Sequence, residues 1–258
     1  MQLNRCSLIL ILILILIPLQ ITMVTATDKI TSPAAIDAAA IIKTVETQYQ
    51  GRSSHGTVSM TIKTRRWTRT IVMESWSEGR DKFLTRIISP AKEKGTCTLK
   101  VVNDIWNYLP NIDRLIKIPA SLMGESWMGS HLTNDDLVKD NKIDELYQLE
   151  ITGQNDVSIE ITGVPLPDAA VVWGKIVYRV DTEKMIPLTV DFFDEEGAKV
   201  RTMTFSDVKN LGDRWLPMLF RVVPTDKPEE YTEMHYQNLN FSFEPPRDFF
   251  SLKTLRNR

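Results

Sequence analysis

The sequence predicts a mainly β protein with flanking helices, an α+β chain whose strands form an antiparallel sandwich or barrel. Three observations lead there. From Thr57 to Phe243, apolar and polar residues alternate in one short segment after another, the two-residue period of strands with one buried face. The spacers between these segments are too short for crossover helices, so successive strands pair antiparallel. A long 3.6-residue apolar stripe occurs once, before the strands begin.

The chain opens on a segment that reads as an export signal. Arg5 precedes an unbroken run of Leu and Ile at 8–17, Pro18 ends the run, and Val24-Thr25-Ala26 puts small residues at cleavage spacing. We expect cleavage after Ala26, leaving one domain over 27–258 that is soluble on the far side of the membrane. The other reading is a retained anchor, because the apolar stretch 8–24 reaches the short limit of a spanning helix, about 17–25 residues. Losing residues 1–26, with Arg5 their only charge, takes the net charge from −2 to −3. That near-balance gives no long-range pull toward nucleic acid or anionic lipid. Cys6 leaves with the signal and Cys97 stays alone, so no intrachain disulfide staples the exported fold.

The first mature element is a helix. Ser32 is its expected N-cap and Pro33 its first helical residue. Ala38, Ile41, Ile42, Val45 and Tyr49 form the buried stripe, and Gly51 stops it. Strands follow at 57–63, Thr68–Glu78, Lys82–Ser89, 96–101, 105–109 and 114–118. Residues 119–140 interrupt the series with Leu122, Met123, Trp127, Met128 and Leu132, spaced by Gly124 and Gly129. Thr133 and Asp136 resemble a capping box that opens a short helix through Leu137 and Val138. Strands resume at Tyr147 and continue through a last one at 230–243, with turns at Asp194-Glu195-Glu196-Gly197 and Leu211-Gly212-Asp213. The count is eleven or twelve strands.

Catalytic signatures are missing from the sequence: it has no G-x-S-x-G, no phosphate-cradling G-x-x-x-x-G-K and no H-E-x-x-H. His55, His131 and His235 are scattered and Cys97 is single, so we expect neither a metal nor another cofactor. Asp135-Asp136 reads as helix capping before it reads as a metal pair. Cys97 reads as a small buried hydrophobe. The cluster Lys63, Arg65, Arg66, Trp67 and Arg69 reads as a charged hairpin tip, since an exported, mildly acidic chain is a poor nucleic-acid ligand.

Apolar surplus is the most informative feature. An open antiparallel sheet normally solvates one face, yet Trp106 and Tyr108 alternate with Ile105 and Leu109, and Phe192 adjoins Phe193. Met60, Met73, Met123, Met128, Met203, Met218 and Met234 add adaptable surface, which suits either a core or a cavity for variable acyl chains. The expected cavity set is Met60, Ile62, Met73, Trp106, Tyr108, Leu122, Met123, Trp127 and Met128. Two readings of 119–140 stand, a movable wall or a static plug.

Two stretches carry a family resemblance. Ile105-Trp106-Asn107-Tyr108-Leu109-Pro110, then Arg114, Met128-Gly129-Ser130 and Thr133-Asn134-Asp135-Asp136-Leu137 make the first. Val180 to Leu188, Phe193 to Gly197, Phe205-Ser206-Asp207-Val208 and Arg214-Trp215-Leu216-Pro217 make the second. From Gly56 onward the chain resembles the LolA-like outer-membrane lipoprotein-sorting group. The resemblance implies a strongly curved, incomplete antiparallel β-barrel, with helices or loops closing its open side as a lid. It also implies a periplasmic carrier of lipoprotein acyl chains or another lipid, served by an inner-membrane transporter or an outer-membrane acceptor. Arg114, placed by the first pattern at a strand start, is either a lid-holding residue or a solvated edge-strand arginine. The alternative function is a non-catalytic accessory of a membrane exporter or an envelope-stress sensor with the same cavity. A hydrolase comes third. We expect a monomer.

Overall fold

Among the described residues, one antiparallel sheet of thirteen strands, more than the eleven or twelve expected, makes up the body of the fold. The computed structural model describes residues 37–49, 51–139 and 142–256. The signal segment, Ser32 and Pro33 lie outside them. Six strands run outward from the sheet centre: β1 (Ser53–Lys63), β2 (Thr68–Glu78), β3 (Lys82–Ser89), β4 (Cys97–Val101), β5 (Asp104–Leu109) and β6 (Arg114–Lys117). Seven more are β7 (Tyr147–Gln154), β8 (Ser158–Pro165), β9 (Lys175–Asp181), β10 (Pro187–Phe193), β11 (Lys199–Asn210), β12 (Trp215–Pro224) and β13 (Tyr231–Asn240). The spatial order is β6-β5-β4-β3-β2-β1-β13-β12-β11-β10-β9-β8-β7.

This order explains the insertion. Each half is a meander of adjacent hairpins, and β13 returns to pair with β1. The sheet is curved and does not close, so β6 and β7 remain its two edges. The segment after β6 must therefore reach the opposite edge before β7 begins. It does so through 3-10 turns at Ala120–Leu122 and Trp127–Gly129 and two short helices, Asn134–Lys139 and Ile143–Leu146.

Register separates the two sheet faces. Val58 pairs with Met73 and Met73 with Ile87. Met60 pairs with Ile71 and Met234. These side chains share the inner face with Ile161, Ile176, Val190 and Met203 in one core. The N-terminal helix α1 (Ala38–Thr47) adds Ile41, Ile42 and Val45. Burying each such side chain contributes about 1.5–3 kcal/mol. Helix α1 is capped at Asp37, whose carboxylate accepts from the Ala39 N–H at 3.0 Å. That start is later than the cap expected at Ser32.

The outer face explains the apolar surplus. Trp106 pairs with Leu99, and Tyr108 with Cys97. They pack with Leu84 under the C-terminal segment, where Phe249, Phe250 and Leu255 form the cover. The last strand ends at Asn240 rather than Phe243, and the chain finishes in a helix at Leu252–Arg256. Freed from the strand, Phe243 packs against His55 and Phe249. Two apolar faces thus serve two cores.

Candidate functional site: a cavity beneath the insertion

A cavity of about 210 Å³ lies between the inner sheet face, α1 and the insertion. Val58 and Met73 from β1 and β2 face Tyr178, Val190, Met203, Phe205, Phe220, Met234 and Tyr236 from the other half of the sheet. Val45 and Glu46 of α1, with Tyr49 just beyond its end, contribute one wall. Trp127, Leu132, Asp136 and Leu137 contribute another. Phe205 and Phe220 are cross-strand partners with ring centroids 6.1 Å apart.

The expected cavity residues divide into four groups. Met73 and Trp127 line the cavity, while Met60 and Ile62 are fully buried in the core beside it. Leu122 is exposed, Met123 is half-buried, and Met128 packs partly against the core. Trp106 and Tyr108 belong to the outer-face cluster. Sequence alternation correctly split Trp106 and Tyr108 from Ile105, but which set faced inward depended on cross-strand register.

Trp127 is 1% exposed, and its indole N–H donates to Thr98 Oγ1 at 3.2 Å. Around it the backbone turns sharply, with φ of 52° at Met128 and 73° at Gly129. Glycine is at home in that left-handed region; a methionine there carries some strain. The capping box is reciprocal: the Thr133 N–H donates to Asp136 Oδ2 at 2.6 Å and the Asp136 N–H donates to Thr133 Oγ1 at 3.1 Å.

Arginines hold the insertion, though not the one expected. Arg114 is exposed on the edge strand β6. Arg201, on β11, is 3% exposed and reaches the insertion twice. Its Nη1 donates to the His131 carbonyl and its Nη2 to Asp136 Oδ1, both at 2.7 Å. Its guanidinium lies 4.3 Å from the Trp173 ring centre and 4.2 Å from that of Phe192. The Trp173 indole also donates to Asp136 Oδ1, at 3.1 Å. Burial alone would raise the Asp136 pKa, but the Arg201 charge and these donors hold it below the usual carboxylate range. Arg69 adds a bond from Nη2 to the Met128 carbonyl at 3.1 Å. His131 adds another contact, with Nδ1 2.9 Å from Thr232 Oγ1. Arg201 sits in an ordinary alternating strand, and nothing in its local pattern marks it as buried.

A second ion cluster closes the α1 side. Arg80 contacts Glu46 at 3.3 Å, Glu145 at 3.0 Å and Asp144. Burial works against its charge, yet Asp144, then Glu46 and Glu145, hold its pKa above the ordinary value. Lys100 is 2% exposed and donates to the Arg80 carbonyl at 2.9 Å. Cys97 is fully buried, and burial pushes its thiol pKa up. The hairpin-tip reading also holds: residues 64–67 close β1 and β2, with Trp67 43% exposed and Arg65 3.6 Å from Glu229.

Solved structures share this architecture. A domain from Vibrio parahaemolyticus, provisionally described as an outer membrane lipoprotein-sorting protein, matches with a TM-score of 0.73 and 22% identity over 85% of this chain and 97% of its own. A DUF1329 family protein from Desulfovibrio piger gives 0.76 and 20%, over 85% and 99%. A LolA superfamily protein from Nitrosomonas europaea gives 0.71 and 16%, over 85% and 100%. The fold is LolA-like. A family model described only as that of an uncharacterised protein matches residues 79–257. The chain belongs to that family. No curated protein matches the sequence. The LolA-like sheet, its lining and its insertion are therefore the ground for a functional reading. Among the described residues, no helix is long and apolar enough to cross a membrane.

Proposed function

We propose that this LolA-like protein is a non-catalytic periplasmic carrier that holds an acyl chain, of a lipoprotein or another lipid, in the cavity beneath the insertion. The observation that carries the reading is the apolar wall of Val190, Met203, Phe205, Phe220 and Met234, enclosed by Trp127 and Leu132 of the insertion. Burying a chain there gives about 0.8 kcal/mol per methylene at best, enough for tight binding without a covalent bond. Methionine thioethers and phenyl rings fit chains of varied length without fixed hydrogen bonds. The LolA-like fold and the description of the Vibrio domain as a lipoprotein-sorting protein support the same reading.

At about 210 Å³ the cavity is smaller than the ~300–1,000 Å³ of sites for drug-sized ligands. In this state it suits one chain. A cargo with two or three chains requires the insertion to swing away from β11, breaking the Arg201 bonds. The insertion is then a lid whose open and closed states differ by little free energy. Titrating the protein with a fluorescent long-chain acyl probe tests the reading. Saturable binding at one probe per chain, displaced by unlabelled lipid, is expected. Absence of saturable binding refutes it.

A further inference from the structure

The cavity has two ends of different chemistry. Its far half is apolar, as above. The half built on β1 to β4 carries hydroxyls and the Lys100 ammonium on the same inner face, with Arg80 in the turn between β2 and β3 beside them. Cross-strand pairing puts them in two rows: Ser54–Ser77–Phe83–Lys100, and Ser75–Thr85–Thr98. Ser54, Ser75, Ser77, Thr85 and Lys100 all line the cavity.

A structural role accounts for part of this set. Ser54 and Ser77 share a hydrogen bond of 2.7 Å, and Thr98 bonds Asn107 and Trp127. Thr85 is different. It is 1% exposed, and its Oγ1 has no hydrogen-bond partner among the described residues. An unsatisfied buried hydroxyl costs about 1–3 kcal/mol, and this one faces the cavity. A valine would fit the same strand position without that cost.

Charge selects the ligand. Arg80 and Lys100 line this end, while the Lys82 ammonium lies on the outer face, on Glu78 and over the Phe250 ring. Of the two carboxylates in the cavity lining, Glu46 pairs with Arg80 and Asp136 with Arg201. The further carboxylates that pair with Arg80, Asp144 and Glu145, are not part of the lining. A low-dielectric wall with fixed cations and a waiting hydroxyl donor favours an anionic oxygen group.

We propose that the β1–β4 end is a head-group subsite for a single-chain anionic amphiphile. The chain lies toward Phe205 and Phe220, and the carboxylate or phosphate accepts hydrogen bonds from Thr85 and Lys100. This assignment rests on the carrier reading and adds the polarity and orientation of its cargo. A carboxylate head comes from a fatty acid, and a phosphate head from a monoacyl phospholipid.

Calorimetric titration of the full-length protein with dodecanoate, dodecyl phosphate and dodecanol is the test. The three probes share a chain and differ at the head. At least one anion binds about tenfold more tightly than dodecanol, the scale of one charge-assisted hydrogen bond. The tighter anion identifies the head chemistry. Thr85→Val and Lys100→Met each reduce that preference, because they weaken the anion by a larger factor than dodecanol. Thr85→Val keeps the assay decisive if Lys100→Met does not fold, because it removes an orphaned group and retains shape. Equal affinity for all three probes, or full preference in Thr85→Val, overturns the subsite and leaves the carrier reading standing. Failure of every probe to bind overturns both.

Discussion

Arg201 Nη2 donates to Asp136 Oδ1 at 2.7 Å inside the protein, with the side chains 4% and 9% exposed. The bond joins a central strand of the second meander to the segment that crosses the open side of the sheet. Asp136 is held at once by the salt bridge, the Trp173 indole and its own capping box. The same carboxylate therefore starts a helix, pairs a buried cation and fixes a wall of the cavity.

Breaking this pair from one side leaves the other charge buried and alone, which typically costs about 3–5 kcal/mol. Asp136→Ala is expected to lose stability on that scale in urea denaturation. Replacing both partners, as Asp136→Leu with Arg201→Met, is expected to cost less than the two single changes added together. A double-mutant cycle measures the difference. Strict additivity would show that the two groups do not interact.

The pair also sets an acid limit. The Asp136 carboxyl titrates below its unfolded value of about 3.9, so its stabilisation is complete above that pH. It disappears as the pH falls through the depressed folded value. Asp135 runs the opposite way: burial raises its pKa, and the bond to Lys139 offsets this only in part. Its ionised form costs stability at neutral pH. Urea midpoints between pH 3 and pH 7 are expected to drop below about pH 4 in the native sequence. The drop is shallower in Asp136→Asn, whereas Asp135→Asn gains at neutral pH. An equal acid drop in Asp136→Asn would remove Asp136 as its source.

Much of this was legible in the sequence because strand alternation is a local signal. Val58, Met60 and Ile62 announced β1, and Thr133 with Asp136 announced a cap that the structure forms in both directions. The assignment of faces was not local. Trp106 and Tyr108 look as fit for a cavity as Met73 does, and only pairing with Leu99 and Cys97 sends them outward. The C-terminal helix is five residues long and too short to show a period. Arg201 escaped notice because a buried cation depends on partners 65 and 70 residues away.

Trp127 reports on the insertion. Its indole is buried and bonded to Thr98. With the other five tryptophans replaced conservatively, entry of an acyl chain is expected to change its emission. Thr98→Val, which removes the acceptor, should shift the unliganded spectrum and speed probe release. Probe binding that leaves Trp127 emission unchanged, with release unaltered in Thr98→Val, would make the segment a static plug.

Cys97 supplies a test of the outer core. Its thiol is fully buried and its pKa is raised by that burial, so thiolate is scarce. Alkylation at pH 8 is expected to be slow in the folded protein and to become fast in denaturant. Rapid labelling of the native state would mean that the C-terminal segment does not cover Leu84, Leu99 and Cys97.

The central claim is that an acyl chain occupies the cavity between the inner sheet face and the insertion. Mass spectrometry of organic extracts from protein purified out of its native envelope tests it most directly. The account predicts co-purified lipid near one molecule per chain in the native sequence, and its loss in Met203→Trp, where an indole fills the apolar end. A folded native protein that yields no lipid, or a Met203→Trp variant that retains it in full, would contradict the account.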